Sequence, residues 1–359
     1  MGDHDTGRAP RDERPPGGAF LRILPFAMMA FVALVDLLAG PGVGYLPLLA
    51  LGPAFASLSC GVRRTAAVGV LALSLCALLA WYDHIFGTRQ NTLTFASITG
   101  VIAAGMLASS HRERRERELA DVRTVAEVAQ RVLLRPMPRH VGGLRAAVRY
   151  VSAAARARIG GDLYEIAVTA KGVRLIVGDV QGKGLEAVET AAVVLGAFRE
   201  AAYDEPDLNA VAARLERTLS RHLDSEQFVT AVLAEFTPDG LTLLNHGHPA
   251  PLLLRSDGAI ELIEPPDPAP PLGMTALTDA PAPPHCVQLA PADRLLLYTD
   301  GVVEARDRQG AFYPLTERAP LLAVGDLEQA LSGLQDDLVR YVGGPLGDDA
   351  AMVLLQCDR

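Results

Sequence analysis

With 359 residues, half of them hydrophobic, the chain can bury a sizeable core, yet it is apolar for a water-soluble enzyme. Its net charge of −9 is unevenly spread: residues 1–118 carry 11 Lys/Arg against 9 Asp/Glu, and residues 119–359 carry 22 against 33. An acidic second part excludes nucleic acid as an expected partner, because phosphate backbones need a basic face. Four cysteines without a CxxC pair (Cys60, Cys76, Cys286, Cys357) argue against a disulfide scaffold or a thiolate zinc site.

Residues 1–18 are polar and predict a disordered tail. Four apolar runs follow, at 19–39, 43–60, 66–82 and 93–109. Each is near the ~20 residues a helix needs to cross hydrocarbon. Arg8, Arg11 and Arg14 precede the first run, Arg63 and Arg64 separate the second from the third, and HRERRERE (111–118) follows the fourth. The other two loops hold only Arg89 as a basic residue. This alternation predicts a four-helix transmembrane segment over 19–109, multi-pass in the cell membrane, with both termini and the catalytic domain cytoplasmic. Asp36, near the outer end of the first run, is expected as an interfacial carboxylate. The lipid bilayer is thus an expected partner.

A helical linker is predicted over 110–138. Leu119, Val122, Ala126, Ala129 and Leu133 recur at a and d spacing, over two heptads. Two readings stay open here: an amphipathic helix packed on its own domain, or a parallel helix pair forming a homodimer. Pro136 and Pro138 end the helix in either case.

From 139 onward the pattern is that of an α+β sandwich. LRAAVRYV, LYEIAVTA and VRLIVGDV read as strands, with a turn at Lys171–Gly172. Helices are expected over 184–202 and 207–223, the second opened by Asp207. Strand-like runs resume at FVTAVLAEF, LTLLNHG, PLLLR, RLLLYTD and AMVLLQ, with the Pro-rich stretch 265–284 as a loop.

Carboxylates stand at the ends of these strands: Asp162 in GGDLYE, Asp179 in GDVQGKG, Asp300 in YTDG, and Asp348 and Asp349 in GDDAAMVLL. Acidic groups converging from separate strands repel unless a cation holds them. Oxygen donors without His or Cys suit Mg²⁺ or Mn²⁺ rather than zinc.

In order, QRVLLRPMP, RIGGDLYE, GDVQGKG, NHGHPAPLLL, LLLYTDGVVEAR and GDDAAMVLL resemble the PPM (PP2C-like) Ser/Thr phosphatases, specifically the bacterial SpoIIE/RsbU branch, over about 128–356. The resemblance implies a PP2C-like αββα sandwich over 139–359 and a metal-dependent phosphoprotein phosphatase using two Mn²⁺ or Mg²⁺ ions. Carried over by motif, Asp162, Asp179, Asp300 and Asp348 are the implied catalytic metal ligands, with Asp179 between the ions and Val180 offering its carbonyl. The first carboxylate of GDD is the family's ligand, which favours Asp348 over Asp349. Glu165 stands where the branch often has Asp, and no equivalent of the phosphate-holding Arg of eukaryotic relatives is evident. His246 and His248, in the family's GHP turn, read as structural or phosphate-adjacent. The implied substrate is a phosphoserine on a STAS-type anti-anti-sigma regulator. Two alternatives stand beside this reading: a diguanylate-cyclase-like enzyme, because RIGGDLYE is similar to that signature, and a catalytically inactive membrane-tethered scaffold. The cyclase reading leaves GDVQGKG, YTDG and GDD unexplained.

Overall fold

The computed structural model describes residues 17–39, 45–152, 160–222, 227–274 and 281–358. Most of the expected N-terminal tail lies outside them. The chain divides into two units, Met1–Ala120 and Asp121–Arg359.

The first unit holds helix α1 (Gly17–Ala39), a 3₁₀ segment (Leu46–Ala50), α2 (Leu51–Ser59), α3 (Val62–Tyr82) and most of α4 (Arg89–Leu133). Met29, Leu49, Ala72, Cys76, Leu79 and Ile98 form its core. Among the described residues, two helical stretches are long and apolar enough to cross a membrane, Val62–Tyr82 and Arg89–Asp121. Of the other two runs, the first folds as the 23-residue α1 and the second is broken into two shorter pieces. By the same measure they give the shorter apolar stretches Ile23–Leu38 and Leu46–Ser59. In the second, Pro47 opens the 3₁₀ segment and Pro53 lies in the first turn of α2, the places where a missing N–H costs least. Asp36 is buried among the helices, at 3% exposure. Arg112, from the basic run, donates to the carbonyls of Ser57, Leu58 and Cys60 and so caps the end of α2.

The second unit is a four-layer sandwich. Its strands are β1 (His140–Val141), β2 (Leu144–Val151), β3 (Leu163–Thr169), β4 (Gly172–Val180), β5 (Val229–Thr237), β6 (Gly240–His246), β7 (Leu252–Leu254), β8 (Ile260–Leu262), β9 (His285–Val287), β10 (Arg294–Tyr298) and β11 (Ala350–Cys357). One sheet runs β1-β2-β11-β10-β7-β8, the other β3-β4-β5-β6-β9, with every neighbouring pair antiparallel. Alternation along β4 and β11 sends Val173, Leu175, Val177, Val353 and Leu355 into the layer between the sheets. Helices α5 (Leu185–Asp204) and α6 (Leu208–Leu219) cover the five-stranded sheet through Val194, Phe198, Val211 and Leu215. Asp207 caps α6 by accepting from the Ala210 N–H at 2.8 Å, as its position predicts.

The six-stranded sheet is covered by α7 (Asp300–Val303), α8 (Leu315–Arg318) and α9 (Leu327–Val342). Helix α9 was not foreseen. Its signals are a capping box, Asp326 with Gln329, and apolar residues at Leu327, Leu331, Leu334 and Leu338.

Two anchors hold α5. At its end, the fully buried Arg174 pairs with Glu235 at 2.6 Å and donates to the carbonyls of Ala202, Glu205 and Pro206. Lys171 adds a bond to the Glu205 carbonyl. Along its length, the end of α4 packs against it: Ala129 and Leu133 meet Val188. Arg199 of α5 donates to the Leu133 carbonyl at 2.9 Å and pairs with Glu165 at 2.5 Å. Of the two readings open for the linker, Ala129 and Leu133 follow the first and face their own domain. Val125, Val128 and Val132 lie exposed on another face.

Candidate metal centre

The antiparallel register sets the site. Because β3 starts where β4 ends, Leu163 pairs with Gly178, which brings the residues flanking them, Asp162 and Asp179, to one end of the sheet. In the other sheet β10 ends where β11 begins, with Tyr298 opposite Met352, so Asp300 and the Asp348–Asp349 pair meet at the corresponding end. Close approach demands glycine here: a Cβ on Gly161 would lie 2.5 Å from the Val180 carbonyl oxygen. Val180 donates in turn to the Gly161 carbonyl at 3.2 Å. The carbonyl expected as a ligand therefore lies against the GGD loop.

Asp162 is 3% exposed and accepts from the Thr299 hydroxyl at 2.7 Å. Thr299 accepts in turn from the Ala351 N–H at 2.9 Å, so one hydroxyl joins the GGD strand to the start of β11. Burial pushes the Asp162 carboxyl well above its ordinary range; Asp179, Asp349 and Asp300 add to the rise and Thr299 opposes it. Burial also pushes Asp179 up to about 7, with Asp300 and Asp348 raising it, and a hydrogen bond from Asp162 and the charge of Lys183 lowering it. Asp300 is raised by burial, by Glu304 and by Asp348. Carboxylates from separate segments thus raise the cost of ionising Asp162, Asp179 and Asp300.

The members of the GDD pair differ. Asp348 sits at the rim, where its Oδ2 accepts from Lys183 Nζ at 2.6 Å. Asp349 is buried and accepts from the Tyr150 hydroxyl and the Gly160 N–H. His246 and His248 are both buried: His246 Nδ1 lies 3.3 Å from the Pro270 carbonyl, and His248 Nδ1 lies 3.0 Å from Oγ1 of Thr230, the residue paired with Asp179. Burial holds His248 neutral, with its pKa lowered to about 3. Thr299, Lys183 and Tyr150 are contributors that sequence reasoning missed, and Asp349, named there only as the less favoured ligand of its pair, joins them. The TDG and GKG neighbours of Asp300 and Asp179 were the available signals for the first two.

Among the described residues, no three Asp, Glu, His or Cys side chains already enclose a point where an ion would sit. The donor set nevertheless fits a hard divalent cation. It is oxygen-only, half-buried and mutually repelling, and positive charge is what would lower the energy of all four carboxylates together.

Residues 169–358 match the family described as stage II sporulation protein E (SpoIIE). Among solved structures, the SiaA-PP2C domain of Pseudomonas aeruginosa is similar at 18% identity, covering 67% of this chain and 98% of that one, with a TM-score of 0.56. The PP2C phosphatase domain of SpoIIE from Bacillus subtilis, with a fragment of its regulatory domain, is similar at 15% identity, covering 60% of this chain and 64% of that one, with a TM-score of 0.51. The RsbU and RsbW domains of a Mycobacterium tuberculosis protein match at 25% identity, covering 60% and 62%, with a TM-score of 0.49. The chain spans less than two thirds of the last two structures. The first two share its PP2C fold, and the diguanylate-cyclase alternative finds no support: GGDLYE opens an edge strand of this sandwich.

Proposed function

The chain belongs to the SpoIIE family, and from that membership we propose that its second unit is a metal-dependent protein serine/threonine phosphatase of the PP2C type. The observation that carries the reading is the convergence of Asp162, Asp179, Asp300 and Asp348 from separate segments at one end of the sandwich, where burial and neighbouring carboxylates hold Asp162, Asp179 and Asp300 above their ordinary range. Their carboxylates and the Val180 carbonyl would hold two Mn²⁺ or Mg²⁺ ions, with Asp179 shared between them. When bound, such a pair supplies positive charge for the phosphoryl oxygens and an acidified water for attack at phosphorus. The chain's own residues do the holding: Thr299 fixes one oxygen of Asp162, and the Gly161 turn brings the Val180 carbonyl forward. Lys183 keeps a positive charge at the rim beside Asp348.

The substrate we favour is a phosphoserine on a STAS-type anti-anti-sigma regulator, as the family resemblance implies. For the first unit we propose four crossings within 19–109, with both termini and the catalytic domain cytoplasmic. Supporting this are the loop charges and the outward apolar residues Phe31, Leu38, Leu58, Leu78 and Leu93. A homodimer through the linker would use Val125, Val128 and Val132, since Ala129 and Leu133 are occupied.

The test is p-nitrophenyl phosphate hydrolysis by the full-length protein in detergent with Mn²⁺, beside a GTP cyclisation assay. Mn²⁺-dependent phosphate release without cyclic dinucleotide is the expected result. Bound Mn²⁺ with no hydrolysis would instead mark an inactive scaffold. A phosphoproteome unchanged at every STAS-type phosphosite on deletion, while the enzyme is expressed and active, would overturn the substrate.

A further inference from the structure

We infer that Tyr150 and Gln130 are positioning residues for the metal centre, acting through Asp349 to fix the GGD loop against the GDD loop. The inference rests on the metal-site reading above. Tyr150 stands near the end of β2, and its hydroxyl donates to Asp349 Oδ2 at 2.6 Å. The same oxygen accepts from the Gly160 N–H at 2.7 Å. Gln130, on the last turn of α4, donates from Nε2 to the Tyr150 hydroxyl oxygen at 2.6 Å and to the Gly160 carbonyl at 3.2 Å. Four hydrogen bonds thereby tie together the linker helix, strand β2 and two metal loops.

The position of this network in the chain gives it its consequence. Asp162 lies two residues after Gly160, and Asp348 immediately precedes Asp349. Whatever sets the Gly160–Asp349 contact therefore sets how far apart two of the implied ligands stand. The contact leaves no slack: a Cβ on Gly160 would come within 2.6 Å of Asp349 Oδ2. Asp349 and Gln130 are buried, so water cannot replace a lost partner without opening the packing. Burial drives the Tyr150 phenol far above its ordinary pKa, with Asp162 and Asp349 adding to the rise, so the hydroxyl stays a donor at any working pH. Neither Tyr150 nor Gln130 is itself an implied ligand, so each acts through the loops.

The test uses the full-length protein in detergent and the variants Tyr150→Phe, Gln130→Ala and the double variant. Mn²⁺ affinity is read by calorimetry, thermal stability by melting, and p-nitrophenyl phosphate turnover against Mn²⁺ concentration. Removing a group that orients metal ligands typically costs about tenfold or more in affinity. Tyr150→Phe should weaken Mn²⁺ binding about tenfold and Gln130→Ala about threefold. The double variant should stay near tenfold instead of reaching about thirtyfold, because Gln130 works partly through Tyr150. The KM for p-nitrophenyl phosphate at saturating Mn²⁺ should not move. Leu331→Val, in the core beneath α9, serves as the control that lowers melting temperature without touching the network. Mn²⁺ affinity at the wild-type value in Tyr150→Phe, with an active wild type, would overturn the inference alone. An equal affinity loss in Leu331→Val would overturn it too, by showing that the effect follows stability. Wild-type protein that binds Mn²⁺ but hydrolyses no phosphoester would remove the phosphatase reading and leave the positioning role supported by calorimetry. A wild type that binds no Mn²⁺ would overturn both.

Discussion

Strand β4 carries a buried charge and a half-buried one five positions apart, and they are handled in opposite ways. Arg174 is fully buried and donates to one carboxylate and three carbonyl oxygens. Asp179, at the other end of the strand, faces three further carboxylates and has Lys183 as an opposing cation. Burying a charge is costly in both places, but only at Arg174 does the surrounding chain provide the compensation itself. A charge that serves the fold is paired by the fold; the carboxylates left in mutual opposition are the ones that need something from outside.

That contrast can be broken from either side. Asp179→Asn should cut Mn²⁺-dependent phosphatase activity by about a thousandfold or more, equivalent to about 4 kcal/mol of barrier. Its melting temperature without metal should hold or rise, because the substitution removes a repelling charge. Near-normal turnover in the variant would remove Asp179 from the centre. Arg174→Met should do the reverse. It strands Glu235 and three carbonyls, so urea denaturation should show a loss of about 3 kcal/mol, while activity per folded molecule survives. A stable Arg174→Met protein would mean that the anchor of α5 lies elsewhere.

The smallest expected effect sharpens the comparison with a neutral group. His248 is buried with its pKa lowered to about 3, against 6.5 when unfolded. Below pH 6.5 the unfolded chain binds the extra proton and the folded chain does not, so stability falls as pH drops from 6.5 towards 3. Between pH 7 and pH 5 the loss from this group should be about 2 kcal/mol. His248→Gln should show a flatter acid limb in denaturation curves; an unchanged limb would assign the acid sensitivity to other groups.

The architecture of the second unit was largely legible because its strands are short apolar runs punctuated by Gly and Asp. VRLIVGDV folds as β4 almost residue for residue, and the carboxylates at the ends of such runs gather where antiparallel pairing puts them. What sequence pattern missed has physical reasons. Asp349 and Tyr150 meet across 199 residues, a distance no local spacing encodes. Thr299 matters through a hydroxyl that joins two sheets; its place beside Asp300 in TDG hinted at a role but not at those partners. Glu165, which departs from the usual Asp of its motif, reaches Arg199 on α5 instead of the metal loops. The linker's heptad pattern marked a buried face without saying what buries it, and Val188 of the chain's own domain is the answer. In the first unit, hydropathy found all four runs, but it weighs proline too lightly to foresee how residues 46–59 fold.

The anchoring of α5 has a mechanical consequence. Arg174 and Lys171 fix its last turn, whereas its first residue follows Gly184 with no side-chain cap. A helix tied by hydrogen bonds at its last turn, and at its first by apolar contacts such as that of Val188 with Ala129 and Leu133, is a lever. At 20 residues it is about 30 Å long, so a tilt of about 5° about the Arg174 end carries Leu185 by about 2.6 Å. Such a tilt is small beside the packing of Phe198 and Leu195 near the fulcrum. At the far end it equals a whole cation–oxygen contact, delivered next to Lys183 and Asp179.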